Sequence, residues 1–293
     1  MSDAARRRAT WIGATAVAMW ATLAACAALT RPLPSFQATA LCFLLSGSLG
    51  AIWLASRGRL RAALAQPWRA WALGVYGLFG SHALYFLAVR LAPPVQANLL
   101  NYLWPLMLVL ASALAPGAGL RSRHVIGAVV GLAGAGVALA GGDSGDLALR
   151  PEALVGYVCA VGAGAVWASY TILTRRQAEV PTESMVGFAL AAAVLSGLCH
   201  LAFETTVAPG PVQAAGLVFG GLFPLGLSFL AWDHGAKRGD LPVLGALAYA
   251  TPVLSTLLLV ALGLAAPSWA LLVGCLLVAG GAVIASRDLL RRA

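Results

Sequence analysis

Charge is what this chain has least of. Only 10% of its 293 residues are charged, with 10 acids against 19 bases, where a soluble domain carries roughly a quarter. A water-soluble enzyme or binding module is therefore excluded. Lysine occurs only as Lys237, between Ala236 and Arg238. Without a glycine-rich loop ending in lysine there is no phosphate cradle, so direct ATP-driven work is excluded. No metal-ligand cluster and no nucleophile motif occurs, so neither metal, cofactor nor catalytic residue is expected, and the chain does not read as an enzyme. The 5 cysteines, Cys26, Cys42, Cys159, Cys199 and Cys275, all lie inside apolar runs. Their odd number and placement exclude a disulfide framework and leave packing thiols.

Acids are also missing from mid-depth. Glu152, Glu183, Glu204 and Asp233 stand at or near the ends of apolar runs. A pump for lipophilic cations uses a buried carboxylate, which this pattern does not supply. A phosphorylated solute would call for Arg or Lys in a cavity, and Arg90 and Lys237 sit only at run ends.

Apolar residues, by contrast, make up 60% of the chain, and mean hydropathy is +0.86. Runs able to cross ~30 Å at about 1.5 Å per residue recur at about 9–30, 36–55, 70–90, 95–115, 124–141, 153–174, 184–203, 211–232, 241–263 and 268–286. The expected fold is an all-α membrane protein with ten transmembrane helices. No connection could fold as a domain, and the longest, about Ser56 to Arg69, is a basic loop.

The net charge of +9 does not point to nucleic acid once it is placed along the chain. With Arg6, Arg7 and Arg8 inside, ten crossings put 16 basic residues on that side and only Arg31, Arg90 and Arg150 opposite. Excess positive charge in short loops marks the cytoplasmic face, so both termini are expected there.

A displacement of 147 residues brings the chain into register with itself. Trp20, Ala21 and Thr22 meet Trp167, Ala168 and Ser169; Leu78, Ser81 and Arg90 meet Leu225, Ser228 and Lys237; Tyr102 and Pro105 meet Tyr249 and Pro252; Gly127 and Gly134 meet Gly274 and Gly281. Each half has an odd number of spans, so the second enters the membrane from the opposite side. The expected organisation is two inverted five-helix repeats, residues 1–147 and 148–293, with a solute site at midplane between them. Leu23-Ala24-Ala25-Cys26 resembles a lipoprotein cleavage site, but the first run belongs to the repeat, which argues against its removal.

Asn98-Leu99-Leu100-Asn101-Tyr102-Leu103-Trp104-Pro105 is the wrong content for lipid. Amides, a phenol and an indole at mid-depth cost several kcal/mol if they face hydrocarbon, so they should face a cavity or protein. Pro105 and Pro252 are matched helix interruptions, expected as hinges, and each deprives the carbonyl four residues back of its donor. Trp11, Trp53, Trp68, Trp71 and Trp269 lie near run ends, as an interfacial belt requires. Trp20, Tyr102, Trp104, Trp167 and Tyr249 lie well inside, and are candidates to enclose a ring. Ser81 and Tyr85 share a helix face flanked by His82, an ionisable group at mid-depth. Asn101, His82, Ser81 and Ser228 are candidates for a solute's polar end. Glycines at Gly127/Gly131, Gly156/Gly164 and Gly216/Gly220 need no function beyond close helix packing.

Ten spans in five-plus-five halves, with Tyr-x-x-Pro in the fourth span of each, resemble the EamA-type branch of the drug/metabolite transporter superfamily over essentially the whole chain. Within it, His82, Tyr85, Asn101 through Pro105 and Trp167 are similar to the aromatic amino-acid exporters of bacterial inner membranes. The resemblance implies a multi-pass secondary transporter that exports aromatic amino acids by alternating access. Two other readings stay open: a broad exporter of hydrophobic drugs and metabolites, and a non-transporting structural membrane protein.

Overall fold

The computed structural model describes residues 2–92, 97, 100–112, 122–140 and 151–263, and isolated positions from 269 to 284. Asn98, Cys275 and about half of the last expected span lie outside them, as does the side chain of Pro252. Everything described is helix, turn or loop, with no strand among the described residues.

Among the described residues five segments are long and apolar enough to cross a membrane: Ser35–Ser56, Trp68–Ala88, Pro151–Arg176, Thr182–Phe203 and Pro211–Arg238. The first expected span is α1 (Asp3–Ala21) continued after Thr22 by α2 (Leu23–Leu29). Helix α3 (Ser35–Ser56) follows. It stops because Gly58 turns left-handed at φ 66°, letting Gly58 N–H reach Ala55 O at 3.0 Å and Arg59 N–H reach Leu54 O at 2.8 Å. That pair of bonds satisfies carbonyls the helix leaves open, and glycine adopts the conformation at no steric cost.

After the short α4 (Leu60–Leu64), α5 (Trp68–Val75) leads through one π-helical turn, Tyr76–Gly80, into α6 (Ser81–Leu91). Helix α7 (Trp104–Ser112) begins after a turn at Tyr102 and Leu103, and α8 is Ser122–Ala140. Then come α9 (Leu154–Arg176), α10 (Met185–Phe203) and α11 (Pro211–Leu222). Helix α11 passes through a second π turn, Phe223–Leu227, into α12 (Ser228–Arg238). Helices α13 (Leu241–Ala248) and α14 (Ala250–Ala261) break at Tyr249.

Local geometry repeats with the sequence. The two π turns and the helices after them fall at positions 147 residues apart, Tyr76 against Phe223 and Ser81 against Ser228. In the second turn Pro224 has no N–H to donate. Ser81 Oγ donates to Gly77 O at 2.5 Å and Ser228 Oγ to Pro224 O at 2.6 Å, so each serine supports its own turn. The Tyr-x-x-Pro interruptions are real breaks in the helices, at Tyr102–Leu103 and at Tyr249.

Two helix pairs form the centre. Helix α1 packs along α12, and α6 packs along α9. The first seam is backbone on backbone: a Cβ on Gly235 would lie 2.6 Å from Gly13 Cα. Around these pairs the largest buried cluster gathers Ala16, Phe43, Leu78, Trp104, Trp167, Phe229, Trp232 and Leu244. Four of the five tryptophans assigned to the interfacial belt are well exposed. The fifth, Trp71, is half-buried against Phe188 at 5.3 Å and donates Nε1–H to Leu64 O at 3.3 Å.

Candidate functional site

The site is a set of rings where α1, α7, α9 and α12 meet. Trp20 from α1 stands 5.7 Å from Trp167 and 6.3 Å from Trp104, both nearly perpendicular to it. Trp104 and Trp167 are 6.5 Å apart at 88°. Edge-to-face contacts suit the ring quadrupole and fix orientation as well as distance. Three expected residues from three distant parts of the chain are thus brought together.

Two further rings complete the cluster. Trp232 lies 5.0 Å from Trp20 and 5.5 Å from Trp104, and Phe229 lies 6.1 Å from Trp20 and 5.6 Å from Trp167. Both come from α12, and neither is singled out by depth in the sequence, because Trp232 closes an apolar run. The repeat carries the signal: 147 residues earlier stand His82 and Tyr85. The same helix position is polar in the first half and aromatic in the second.

His82 joins through Phe229, at 6.0 Å, and Phe43, at 5.4 Å. Its Nδ1 lies 2.6 Å from Leu78 O. A carbonyl only accepts, so Nδ1 carries the proton and Nε2 is left as an acceptor. Tyr85 is one residue from Phe86, whose ring is 6.4 Å from His82. Asn101 and Tyr102 are half-buried at the break before α7. The Asn101 carbonyl, deprived of its helical donor by Pro105, lies close to Gly164: a Cβ there would stand 2.9 Å from it and 3.3 Å from Trp104 Cβ. Glycine at 164 therefore lets α7 and α9 approach closely enough to set Trp104 beside Trp167.

Three expected site residues stand differently. Ser81 and Ser228 spend their hydroxyl protons on their own helices. Tyr249 is fully buried away from the ring set, beside Ala128 and Val253, in a slot opened by Gly131, where a Cβ would meet its ring at 2.7 Å. Tyr102 is half-buried where Tyr249 is fully buried, so the two matched tyrosines are not equivalent.

On one side of the rings lies a buried polar cluster. Trp232 Nε1–H donates to Thr171 Oγ1 at 3.1 Å. Asp233 forms an ion pair with Lys237 at 2.9 Å, both almost wholly buried. No described group of three or more His, Cys, Asp or Glu is placed to hold a metal.

This architecture, helices broken at matched points around a shared aromatic centre, is that of a membrane transporter. The model of the EamA-like transporter family matches residues 8–140 and again 154–287, and the chain belongs to that family. Relatives include the aromatic amino acid exporter YddG of Ancylobacter novellus, 48% identical over 96% of this chain and 98% of its own. The Escherichia coli protein of the same name is 27% identical over 95% and 97%. A solved structure described only as the crystal structure of a protein superposes with a TM-score of 0.93 at 47% identity, covering 98% of this chain and 99% of that one.

Proposed function

We propose that this chain is a secondary transporter that exports aromatic amino acids across the bacterial inner membrane by alternating access. The observation that carries it is the five-ring cluster of Trp20, Trp104, Trp167, Phe229 and Trp232, assembled at the meeting of both halves. The exporter name of the relative that is 48% identical along nearly its whole length supports the same reading.

In this reading residues 1–147 and 148–293 are inverted five-helix repeats making ten spans, and the arginine-rich loops and both termini lie in the cytoplasm. Matched π turns and matched breaks at Tyr102 and Tyr249 support the repeat. The solute's ring stacks against or between the indoles, where each ring contact is worth about 0.5–1.5 kcal/mol beyond its area. Its polar end meets the first-half face: His82, Tyr85, Asn101 and Tyr102. Ser81 and Ser228 shape the π turns beside it, Tyr249 forms the wall behind it, and Pro105 and Pro252 act as hinges where the broken helices bend. No metal or cofactor takes part, and no nucleic acid is bound.

The test is counterflow of labelled tryptophan and phenylalanine into proteoliposomes, with and without the protein. Flux competed by aromatic but not by short aliphatic amino acids supports the proposal. Equal movement in both preparations refutes it. Competition by unrelated hydrophobic drugs, with little loss on Asn101→Ala, replaces it with broad drug export.

A further inference from the structure

Beneath the aromatic cluster, toward the arginine-rich end, α9 and α12 are joined by a ladder of buried polar contacts. Trp232 Nε1–H donates to Thr171 Oγ1 at 3.1 Å, and Thr171 in turn donates to Trp167 O at 2.9 Å. One turn on, Thr174 Oγ1–H donates to Asp233 at 3.3 Å. Thr182, in the connection leading to α10, donates to the other Asp233 oxygen at 2.6 Å. Lys237 Nζ lies 2.9 Å from Asp233 and donates to Val180 O at 2.9 Å. The ladder runs from a ring of the candidate site to the connecting loop. Its charged members are 1% and 2% exposed at the side chain.

A buried ion pair is weak evidence for stability, because desolvation takes back most of the attraction. Ionisable groups within a span are by default candidates for function. The repeat offers an internal control. Counting back 147 residues, Thr171 and Thr174 become Ala24 and Ala27, Trp232 and Asp233 become Tyr85 and Phe86, and Lys237 becomes Arg90. None of these supplies the acid, so the ladder is not rebuilt at the matching place, where Phe86 meets Phe36 at 5.5 Å. The buried polar contacts at that end, Glu204 with Phe36 N–H, Gln37 N–H and His200, tie α3 to the end of α10 rather than joining the counterpart helices. Packing follows: α9 and α12 touch along this seam, whereas α6 forms no comparable one with α1 or α2, the counterparts of α9, among the described residues. Tyr170 is buried at 1%, while its counterpart Leu23 is 38% exposed.

We infer that Asp233 and Lys237 are positioning residues that latch the arginine-rich side shut beneath the aromatic cluster. The pair, clamped by Thr174, Thr182 and the Val180 carbonyl, pins α12 and the loop before α10 to α9. It holds Trp232 as the floor of the site. At the matching place on the opposite side the counterpart helices carry no such latch, so the transporter must break the Asp233–Lys237 pair to load solute from the cytoplasm. The inference rests on the transport reading above, but it adds which side is locked and by which atoms.

The test uses the full chain with its five cysteines replaced, in lipid nanodiscs, where a charged maleimide reaches both faces. Ser184→Cys reports on the latch: Ser184 is buried at 1%, two residues from Thr182. Thr39→Cys, buried at 3% in α3, reports on general loosening. The double variant Asp233→Asn/Lys237→Met keeps the shape and removes both charges. It is expected to raise labelling of Ser184→Cys at least tenfold and to leave labelling of Thr39→Cys no faster. Thr182→Val, which removes one bond and no charge, is expected to give a smaller rise of about threefold, and it serves if the double variant does not fold. Unchanged labelling at Ser184→Cys, or an equal rise at both reporters, overturns the latch. Tryptophan counterflow by the unaltered protein is measured alongside. Its absence defeats the transport reading, while flux with an insensitive Ser184→Cys defeats the latch alone.

Discussion

Replacing Gly235 by alanine tests the seam that holds the aromatic cluster in register. The added methyl would lie 2.6 Å from Gly13 Cα and 3.2 Å from both Gly13 N and Ala9 O. Carbon atoms rest at about 3.5–4.0 Å, so α1 and α12 must part by roughly 1 Å. The obstructing atoms belong to backbone, and no rotamer change relieves them. Overpacking of this kind costs about 1–3 kcal/mol, offset by up to ~1 kcal/mol from the better helix propensity of alanine. The net expectation is a loss of about 1–2 kcal/mol. Because α1 carries Trp20 and α12 carries Phe229 and Trp232, the same parting widens the 5.0 Å contact between Trp20 and Trp232. Thermal unfolding of detergent-purified protein should therefore show a lower midpoint, accompanied by slower tryptophan counterflow. Gly197→Ala in α10 is the matched control, since nothing lies within 4 Å of its Cβ position, and it should be neutral or stabilising. If Gly235→Ala matches Gly197→Ala in both assays, the close backbone approach that organises the centre is wrong.

Trp104→Ala removes contacts to Trp20, Trp167 and Trp232. Losing even one or two ring contacts of about 1 kcal/mol with the solute weakens tryptophan binding by roughly tenfold, measurable as a higher KM, while Trp269→Ala at an exposed position should change nothing. Glu204 accepts the N–H groups of Phe36 and Gln37 at 3.1 Å each and also holds His200 at 3.1 Å. Glu204→Gln weakens this cap on α3 and should cost about 1–2 kcal/mol in thermal stability with the KM for tryptophan unchanged. Gln37 exchanges two hydrogen bonds with the Val207 backbone, at 2.6 and 3.0 Å. Gln37→Ala leaves both Val207 groups without partners and should lower the unfolding midpoint by about as much, read in the same thermal scan.

Much of this arrangement is legible in single stretches of chain. Apolar run length and the near absence of mid-depth charge identify a helical membrane protein. The 147-residue register predicts paired breaks, which appear at Tyr102 and Tyr249. Trp20, Trp104 and Trp167 stand out because rings so far from run ends have no place in an interfacial belt. Trp232 and Phe229 escaped the same reasoning because they sit where an apolar run gives way to Asp233 and Lys237, and charges at a run end read as solvated. The chain instead buries those charges against Thr174, Thr182 and Val180.

What the sequence by itself determined is everything that depends on one segment in a known solvent: which runs are apolar, where proline and small residues interrupt them, and which segments correspond. What only the tertiary structure decided is which faces meet. Tyr102 and Tyr249 occupy matched positions, yet Gly131 opens a slot for Tyr249, which turns away into the core. Glycines at 13 and 235 bring two backbones together and carry Trp20 onto Trp232. The polar ladder exists on one side because threonines on α9 face an acid on α12 across that seam. Periodicity assigns a residue to a face of its own helix. Which neighbour covers that face depends on the crossing of helices far apart in sequence, and small residues set that crossing only when they come into contact.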